Sequence, residues 1–412
     1  MSALTPSGAG PGLESRFLAL WGELSEIGRD SSGGYTRAAW TPVDAQLRGW
    51  FRSAAAARAM QTEQDCNGNL WAWWGEPGPG AVATGSHLDS VPNGGAFDGP
   101  LGVVSGFLAV DLLRERGASP RRPVAVACMS DEEGARFGVA CVGSRLMVGD
   151  LQPDAARSLA DAAGTSLAQA MATAGADPGA IGADPARTSA LSAFVELHVE
   201  QGRALADLSA PVGLATGIWP HGRWRLDFEG EPNHAGTTRC EDRRDPMLPL
   251  ARTVLAARSR AEATGARATL ARVAVRPNAT NAIASRVQAW LDARAAGTGE
   301  LEALVEGTVA DARAASEAEG VSFAVERESF TQLVELDRPL RERLGKALGG
   351  VPELPTAAGH DAGILARRLP TAMLFVRNAT GASHSPLEHA TTQDCLAGVT
   401  ALATVLAELT GA

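Results

Sequence analysis

Short apolar segments alternate with helical patterns through the first half of the chain. Helical spacing of apolar residues marks "ESRFLALWGELSEIG" and "PLGVVSGFLAVDLLRERG", and Gly117 follows the arginines that end the second helix. Nearly continuous apolar runs, typical of strands buried on both faces of a parallel sheet, occur in "GAVATGS", "RPVAVACMS", "SAFVELHV" and, far downstream, "TAMLFVRN". The pattern predicts an α/β fold with a mixed, mostly parallel sheet flanked by helices.

The pattern changes between about residue 212 and residue 328. "RWRLDFEG" alternates strictly between apolar and polar residues, as a half-exposed strand does. A helix, two strands, a second helix and a last strand follow, in "DPMLPLARTVLAARSRAEATG", "ATLARVAV", "RVQAWLDAR", "GELEALVEGTVADARAASEAEG" and "VSFAVERE". The order β-α-β-β-α-β is that of ferredoxin-like domains. We therefore expect a small α+β domain at 212–328, inserted into a larger domain formed by 1–211 and 329–412.

Length and composition narrow the class of protein. The chain has 412 residues, which exceeds the size at which one core keeps growing and favours two domains. A net charge of −10 argues against nucleic acid as a partner, because phosphate binding requires a basic surface. The five cysteines include no C-x-x-C pair, which indicates reduced thiols in a cytoplasmic protein. "MSALTPSGAGPG" predicts a short disordered lead and no signal peptide, and no apolar run approaches the roughly 20 residues of a membrane helix.

Histidine and carboxylate side chains follow the predicted strands of the parallel sheet. They are His87, Asp89 and Asp98 after the first strand, Asp131, Glu132 and Glu133 after the second, His198 in the third and His384 after the fourth. In open α/β sheets, ligands bind outside the carboxyl ends of the strands. We therefore expect these side chains to converge on one charged pocket.

Such a pocket suits divalent metal ions. Imidazole and carboxylate without thiolate form a ligand set for zinc, manganese, cobalt or nickel. Three histidines and two carboxylates suffice for two ions about 3.5–4 Å apart that share a bridging carboxylate, as in two-metal hydrolytic sites. Adjacent Glu132 and Glu133 point in different directions on an extended segment, so one can bind metal while the other acts as general base. Asp89 projects to the same side as His87 and can fix the tautomer of its imidazole.

Each residue also has an interpretation without a function. A single histidine in a strand, such as His198, is commonly a hydrogen-bonded core residue. "DEEGAR" alone is typical of a solvated turn or of the start of a helix. The coincidence of four strand ends favours the metal site.

Seven segments in order resemble the hydantoinase/carbamoylase family of dinuclear-metal amidohydrolases. They are "GSHLDSVPNGGAFDGPLGV", "DEEGARFG", "ELHVEQG", "GEPNHAGTT", "PNATNAI", "GHDAG" and "GASHSPLE". The family includes N-carbamoyl-L-amino-acid hydrolases, allantoate amidohydrolases and β-ureidopropionases, and the resemblance runs from about residue 14 to the C-terminus. It implies a metallopeptidase-like catalytic domain with two divalent metal ions, and an inserted ferredoxin-like lid that also forms a homodimer.

The resemblance implies a role for each candidate ligand. His87 and His198 would hold one metal ion, while Glu133 and His384 would hold the other. Asp98 would bridge the two ions, and Glu132 would be the general base. His384 is preferred to His389 because the family's ligand is the histidine after "GxS".

The resemblance also implies residues that contact the substrate. His234 of "NHAGT" is similar to an oxyanion-stabilising histidine, which could come from the partner subunit or approach by a hinge motion. Asn281 and Arg294 are similar to groups that bind the substrate carboxylate, for which a guanidinium fork is suited. Gln201 and His360 are further candidates for the pocket.

One segment, "GIWPHGRWR", departs from the family pattern. Family members commonly carry a glycine and a glutamine where this chain has Pro220 and His221, and that glutamine lies near the substrate. His221 and Arg223 are therefore either exposed residues of a lid strand or part of a pocket for an extra anionic group on the substrate.

The resemblance implies hydrolysis of the C–N bond of an N-carbamoyl amino acid or of an allantoate-like substrate. The altered segment leaves open a hydrolase of N-formyl- or N-formimino-L-amino acids, notably the glutamate derivative, and a metallo-aminoacylase or peptidase agrees less well with the motifs. A serine hydrolase is disfavoured because the sequence has no G-x-S-x-G elbow, and nucleotide-binding fingerprints are absent from it as well. A non-catalytic binding protein on this fold would be expected to have lost ligands or the base, which are all present.

Overall fold

The computed structural model describes residues 12–412. The disordered lead that the sequence predicts falls mainly on residues 1–11 and lies outside the described residues. The chain forms two compact units. The larger unit contains the chain up to Gly217 together with Glu335–Ala412, and the smaller unit is Ile218–Val334.

The strands are numbered here in chain order. They are β1 (Gln61–Gln64), β2 (Leu70–Trp74), β3 (Ala81–His87), β4 (Val124–Met129), β5 (Leu191–Val199), β6 (Val212–Ile218), β7 (His221–Glu229), β8 (Asn233–His234), β9 (Arg267–Arg276), β10 (Ala282–Ile283), β11 (Arg286–Arg294), β12 (Ser322–Thr331), β13 (Val334–Glu335), β14 (Glu353–Thr356) and β15 (Thr371–Val376).

The helices are numbered in the same way. They are α1 (Leu13–Ser25), α2 (Pro42–Ala56), α3 (Pro100–Glu115), α4 (Val142–Val148), α5 (Pro153–Ser158), α6 (Leu167–Thr173), α7 (Pro185–Ala190), α8 (Ala204–Asp207), α9 (Met247–Thr264), α10 (Thr298–Ala318), α11 (Arg338–Ala347), α12 (Asp361–Leu365) and α13 (Thr392–Thr410), with a 3₁₀ turn at Cys240–Asp242. No helix among residues 12–412 combines the length and the apolar character that a membrane crossing requires.

The larger unit is built on a mixed sheet with the order β1-β2-β4-β3-β5-β15-β6-β13, to which β14 adds by pairing with β6. Its centre, β4-β3-β5-β15, is parallel, and β2 and β6 flank these four strands in antiparallel orientation. The prediction of a mixed, mostly parallel sheet flanked by helices is confirmed. Because the four central strands run in the same direction, their carboxyl ends lie on one edge of the sheet.

Alternate residues of the central strands fill apolar cores on the two faces of the sheet. Val82 and Val126 pack in a cluster with residues of α3 and α13. Ala83 and Ala127 belong to a second cluster, which includes residues of α4 and α12. Burial on both faces is the reason why the sequences of β3 and β4 are continuous apolar runs instead of alternating ones.

The smaller unit has a four-stranded antiparallel sheet with the order β12-β7-β11-β9. Helices α9 and α10 cover one face, against Trp224, Leu226 and Phe228 of β7 and the inward residues of β11. The short strands β8 and β10 form a separate antiparallel pair.

The smaller unit begins later in the chain than the expected residue 212. Strand β6 pairs with β15 through Val212–Val376, Gly213–Phe375 and Leu214–Leu374, so this segment belongs to the large sheet. Its sequence predicts a strand, but the sequence alone does not reveal which sheet that strand joins. The last strand of the small sheet, β12, likewise extends to Thr331, beyond the expected end at residue 328.

Candidate metal centre

Two buried histidines, His87 and His198, lie on the neighbouring parallel strands β3 and β5. Nδ1 of His87 lies 3.1 Å from the backbone carbonyl of Asp89, and Nδ1 of His198 lies 2.8 Å from that of Val199. A carbonyl only accepts, so Nδ1 carries a proton in both rings, and in the neutral form of each ring Nε2 has the lone pair that a metal ion could bind. Both Nε2 atoms face the same oxygen of Asp98, Oδ1, at 3.4 Å from His87 and 3.1 Å from His198.

The second oxygen of Asp98 faces a different pair of side chains. Oδ2 lies 3.6 Å from Nε2 of His384, which in turn is 3.3 Å from Oε2 of Glu133. Gln201 donates from Nε2 to the same Oδ2 at 2.5 Å. Asp98 therefore stands between two sets of potential ligands, here called the inner group (His87, Asp98 and His198) and the outer group (Asp98, Glu133 and His384).

These residues fit divalent cations. Nε2 of His87 and Nε2 of His198 are buried and have no hydrogen-bond partner in the part of the chain that the structure describes. Buried polar atoms are normally paired, and two lone pairs directed at a carboxylate are what a metal ion would satisfy. Imidazole and carboxylate donors suit several first-row metals, so the donor set restricts the type of ion without selecting one.

The electrostatics of the cluster also favour added positive charge. Burial raises the pKa of Glu133 to about 8, and the nearby Asp98 carboxylate adds to this shift. Burial, opposed in part by His87, raises the pKa of Glu132 well above its ordinary value. Burial alone would lower the pKa of His87, but the carboxylates of Glu132, Asp98 and Asp89 raise it well above the ordinary value. Crowded, buried carboxylates of this kind are stabilised in their ionised form by a bound cation.

Glu132 and Glu133 follow β4 in a turn that directs their side chains differently. Oε2 of Glu132 lies 3.7 Å from Nε2 of His87, and its Oε1 accepts a hydrogen bond from the Cys141 thiol at 3.3 Å. Glu133 instead reaches His384. One carboxylate thus faces the inner group from the side of His87, while the other is part of the outer group.

The role expected for Asp89 requires a correction. Asp89 does lie beside His87, but it is its backbone carbonyl that binds Nδ1, while the carboxylate oxygen is 3.6 Å away. The carboxylate accepts the backbone N–H groups of Glu132 at 3.2 Å and of Glu133 at 3.0 Å. Its main contacts therefore fix the turn that carries the two glutamates.

His360 lies behind the inner group. Its ring packs edge-on against His198, with ring centroids 4.5 Å apart, and it is buried. Burial, with His198 and His87 nearby, lowers the pKa of His360 well below its usual range, so the ring is neutral. His389, in contrast, packs against Phe97 with ring centroids 5.9 Å apart.

His234 and Asn281 belong to the smaller unit. His234 in β8 pairs with Ala282 in β10, and the N–H of Ala235 donates to the carbonyl of Asn281 at 3.0 Å, so the two candidates are neighbours. Nδ1 of His234 accepts the backbone N–H of Gly236 at 3.0 Å. The neutral ring therefore carries its proton on Nε2, which leaves an N–H donor on an exposed side chain.

The remaining candidates lie at one end of the small sheet. His221 in β7 is opposite Arg294 in β11, and Arg223 is opposite Asp292. Nε of Arg294 donates to Asp292 at 2.9 Å, and Nε of Arg223 lies 3.5 Å from the same carboxylate. Burial lowers the pKa of His221, which accordingly is neutral near pH 7. The structure thus brings the side chains of His221, Arg223 and Arg294 together around Asp292.

The family model for peptidase family M20/M25/M40 matches residues 83–408, a segment that contains every residue of the inner and outer groups. The chain belongs to this family. Among its relatives, the N-carbamoyl-L-amino acid amidohydrolase of Geobacillus stearothermophilus is 38% identical over 392 residues, which cover 92% of this chain and 94% of that protein. The allantoate amidohydrolase of Escherichia coli K12 is 32% identical and covers 94% of this chain and 95% of its own.

A comparison with solved structures agrees with membership in this peptidase family. The crystal structure of an amidase of the hydantoinase/carbamoylase family from Burkholderia multivorans superposes with a TM-score of 0.86 at 28% identity. The match covers 96% of this chain and 98% of the amidase. The resemblance to the hydantoinase/carbamoylase family that the sequence motifs indicate is confirmed.

Two buried glutamates near the candidate ligands, Glu388 and Glu196, are not among the residues that the sequence predicts for the site. Oε1 of Glu388 accepts the backbone N–H groups of Phe97 at 2.8 Å and Asp98 at 2.9 Å, and burial raises its pKa to about 7. Glu196 in β5 accepts from Ser86 Oγ at 2.7 Å and from the N–H of Ala362 at 2.8 Å. Glu388 stands in "GASHSPLE" and Glu196 in "ELHVEQG", so the motifs contained both residues, but their partners are remote in the sequence.

Proposed function

We propose that this chain is a metal-dependent amidohydrolase that cleaves the C–N bond of an N-carbamoyl (ureido) amino acid or an allantoate-like substrate. The observation that carries the proposal is the position of Asp98, with one oxygen directed at His87 and His198 and the other at His384. The names of the relatives from Geobacillus stearothermophilus and Escherichia coli support the ureido class of substrate.

The inner and outer groups would each hold one divalent ion, and Asp98 belongs to both groups. Such ions supply Lewis-acid polarisation of the scissile carbonyl and make water more acidic. Zinc, manganese, cobalt and nickel are all compatible with the imidazole and carboxylate donors.

Glu132 is the residue that moves the proton. Its carboxylate lies next to the ligands without belonging to the outer group, and Oε2 faces the inner group. We propose that Glu132 accepts a proton from the attacking water and delivers it to the nitrogen of the departing amine. The Cys141 thiol on Oε1 keeps the carboxylate oriented so that Oε2 is the oxygen available for this transfer.

The smaller unit would supply contacts to the substrate. His234 carries a proton on Nε2 and can donate it to the oxyanion that develops on the carbonyl. Asn281, next to it, and Arg294 would bind the substrate carboxylate, with Gln201 and His360 of the larger unit as further pocket residues. We propose that the smaller unit acts as a lid and also forms the interface of a homodimer. His234 would act on the substrate bound by its own subunit or on that bound by the partner subunit. We further propose that the enzyme is cytoplasmic.

A second candidate is hydrolysis of an N-formyl- or N-formimino-L-amino acid with an acidic side chain, such as the glutamate derivative. It is favoured by His221 and Arg223, which lie on the same face of β7, with the Arg223 side chain largely exposed and its Nε 3.5 Å from Asp292. The exposed guanidinium of Arg223 can also bind the side-chain carboxylate of a substrate.

The decisive experiment measures release of ammonia and of free amino acid by the purified, Mn²⁺- or Zn²⁺-loaded protein. Substrates are N-carbamoyl-L-amino acids, allantoate, β-ureidopropionate, N-formyl-L-glutamate and N-formimino-L-glutamate, each with and without a chelator. Chelator-sensitive turnover of ureido compounds is expected. Turnover confined to the two glutamate derivatives would instead establish the second candidate.

The Glu132→Gln variant tests the assignment of the general base. Glutamine keeps the shape of the side chain but has no basic oxygen, so turnover should fall at least about a thousandfold, toward the upper end of what general base catalysis contributes. Metal content, measured by elemental analysis, should stay at the wild-type value because Glu132 belongs to neither ligand group. Activity close to wild type in a fully loaded variant would assign the base elsewhere.

A further inference from the structure

Glu388 connects two loops that carry different metal-ligand candidates. It lies four residues after His384, in the loop between β15 and α13. Its carboxylate oxygen Oε1 accepts the backbone N–H groups of Phe97 and Asp98, which precede α3. The turn of its own loop is closed by its backbone N–H, which donates to the carbonyl of Ser385 at 3.0 Å. Glu388 therefore ties the loop of His384 to the backbone of Asp98.

The Glu388 side chain packs closely against Gly95 in the loop that leads to Asp98. The side chain of Glu388 lies flat against Gly95, where an added Cβ atom would be only 2.3 Å from Oε1 and 2.4 Å from Cδ. Glu388 is 4% exposed, and its other oxygen, Oε2, is buried without a hydrogen-bond partner within residues 12–412. Breaking its two bonds to the Asp98 segment would leave a buried oxygen and two backbone N–H groups unpaired, so these bonds are strong constraints.

The inner and outer groups depend on this connection to different degrees. His87 and His198 are held on neighbouring strands of the sheet, and the β3–β5 pairing sets their spacing independently of Glu388. His384 has no such support, because it lies in a loop with its backbone in the left-handed region (φ +54°) and half of its side chain exposed. The distance between His384 and Asp98 is thus set by contacts between loops.

We propose that Glu388 is a positioning residue that holds His384 at binding distance from Asp98, and thereby controls occupancy of the outer metal position more strongly than that of the inner one. The inference rests on the dinuclear site of the proposed function. It assigns to Glu388 neither contact with the substrate nor direct metal ligation.

The expected effect is unequal binding of two metal ions. Removing the Glu388 carboxylate should weaken binding of one of two Co²⁺ ions by about tenfold or more, the range found when partners of metal ligands are removed, and should leave the other within about twofold. Glu388→Gln keeps the shape and one acceptor oxygen but loses the charge, so its effect should lie between those of wild type and Glu388→Ala.

The experiment titrates Co²⁺ into chelator-treated, full-length protein and follows visible absorption and heat of binding, which need no substrate. Thermal unfolding of the metal-free proteins is measured in parallel. Glu200→Ala is the matched control, because Glu200 is also a buried glutamate that accepts two backbone N–H groups, those of Ala204 and Leu205. Its bonds hold α8, which carries no candidate ligand, so the control should lose stability and keep both Co²⁺ affinities.

The outcomes separate this inference from the proposed function. Selective loss of one Co²⁺ affinity in the Glu388 variants supports it, even if none of the tested substrates is hydrolysed. Unchanged affinities, equal weakening of both ions, or binding of a single ion by the wild type would overturn it, even if ureido substrates are hydrolysed. If Glu388→Ala does not fold, the comparison of wild type with Glu388→Met decides, because methionine keeps the length of the side chain without either acceptor oxygen, and equal affinities in that pair would refute the role.

Discussion

The turn that carries Glu132 and Glu133 gives the sharpest test of how the site is held together. Each carboxylate oxygen of Asp89 accepts one backbone N–H of this turn, and Asp89 is 5% exposed. Asp89→Asn keeps one acceptor oxygen and places an NH₂ group where the other oxygen accepted a hydrogen bond. The change is nearly isosteric, so it alters hydrogen bonding while preserving the packing around it.

The magnitude follows from those two contacts. The variant loses one hydrogen bond to a charged group, worth about 1.5–3 kcal/mol, and leaves a buried donor unsatisfied at a cost of about 1–3 kcal/mol. Together these effects amount to roughly 2.5–6 kcal/mol, divided between global stability and the placement of Glu132 and Glu133. If half of the lower figure, about 1.3 kcal/mol, is lost in the transition state, kcat falls about ninefold.

The assay combines kcat on the best substrate of the panel, metal content and urea unfolding of the metal-free protein. Asp161→Asn is the control, because Asp161 also accepts two backbone N–H groups, those of Ala163 and Thr165, in a turn that holds no candidate ligand. We expect Asp89→Asn to lower both stability and kcat and the control to leave kcat unchanged. A kcat within twofold of wild type in fully loaded Asp89→Asn would refute the reasoning.

Two further substitutions probe neighbouring contacts. Cys141→Ala removes the thiol that donates to Glu132 and should lower kcat about 2- to 10-fold at constant metal content, as expected for the loss of one hydrogen bond. Cys141→Ser should recover part of this loss. Identical rates for the two variants would exclude this role of Cys141. Gly99→Ala would place a Cβ 2.5 Å from the His87 ring and should weaken Co²⁺ binding at least about tenfold. Gly117→Ala has a similar positive φ with open space around the Cβ, so equal metal affinity of these two variants would argue against the contact with His87.

The sequence predicts the candidate metal ligands better than it predicts the residues that hold those ligands in place. The ligand candidates are visible because each follows a continuous apolar strand, and parallel strands bring their carboxyl ends together whatever the length of chain between them. Glu388 could not be selected in this way, because it follows no strand directly and its hydrogen-bond partners, Phe97 and Asp98, are about 290 residues away in the chain. Asp89 was recognised as a neighbour of His87, but alternation along a strand does not tell whether its carbonyl or its carboxylate makes the contact.

The elements of the fold differ in the same way, because some follow from local sequence and others depend on a partner that is remote in the chain. The four central strands are predictable from their apolar runs, and β7, β11 and the helices α9 and α10 from their periodicity. Strand β6 is different, because its placement in the large sheet depends on pairing with β15, more than 150 residues later in the chain. Local sequence determines that the segment forms a strand, whereas the partner strand determines the sheet to which it belongs.

The position of β15 between β5 and β6 has a consequence for biosynthesis. During translation β5 and β6 leave the ribosome long before β15, and until β15 inserts between them each has an unpaired edge. The smaller unit, which has its own core, is completed in that interval. Strand β15 then closes the sheet and positions the loop of His384, so the large sheet and the outer group of candidate ligands are completed in the same late step. The unpaired edges of β5 and β6 are accordingly the parts of the sheet that are open to wrong strand pairing until β15 has been made.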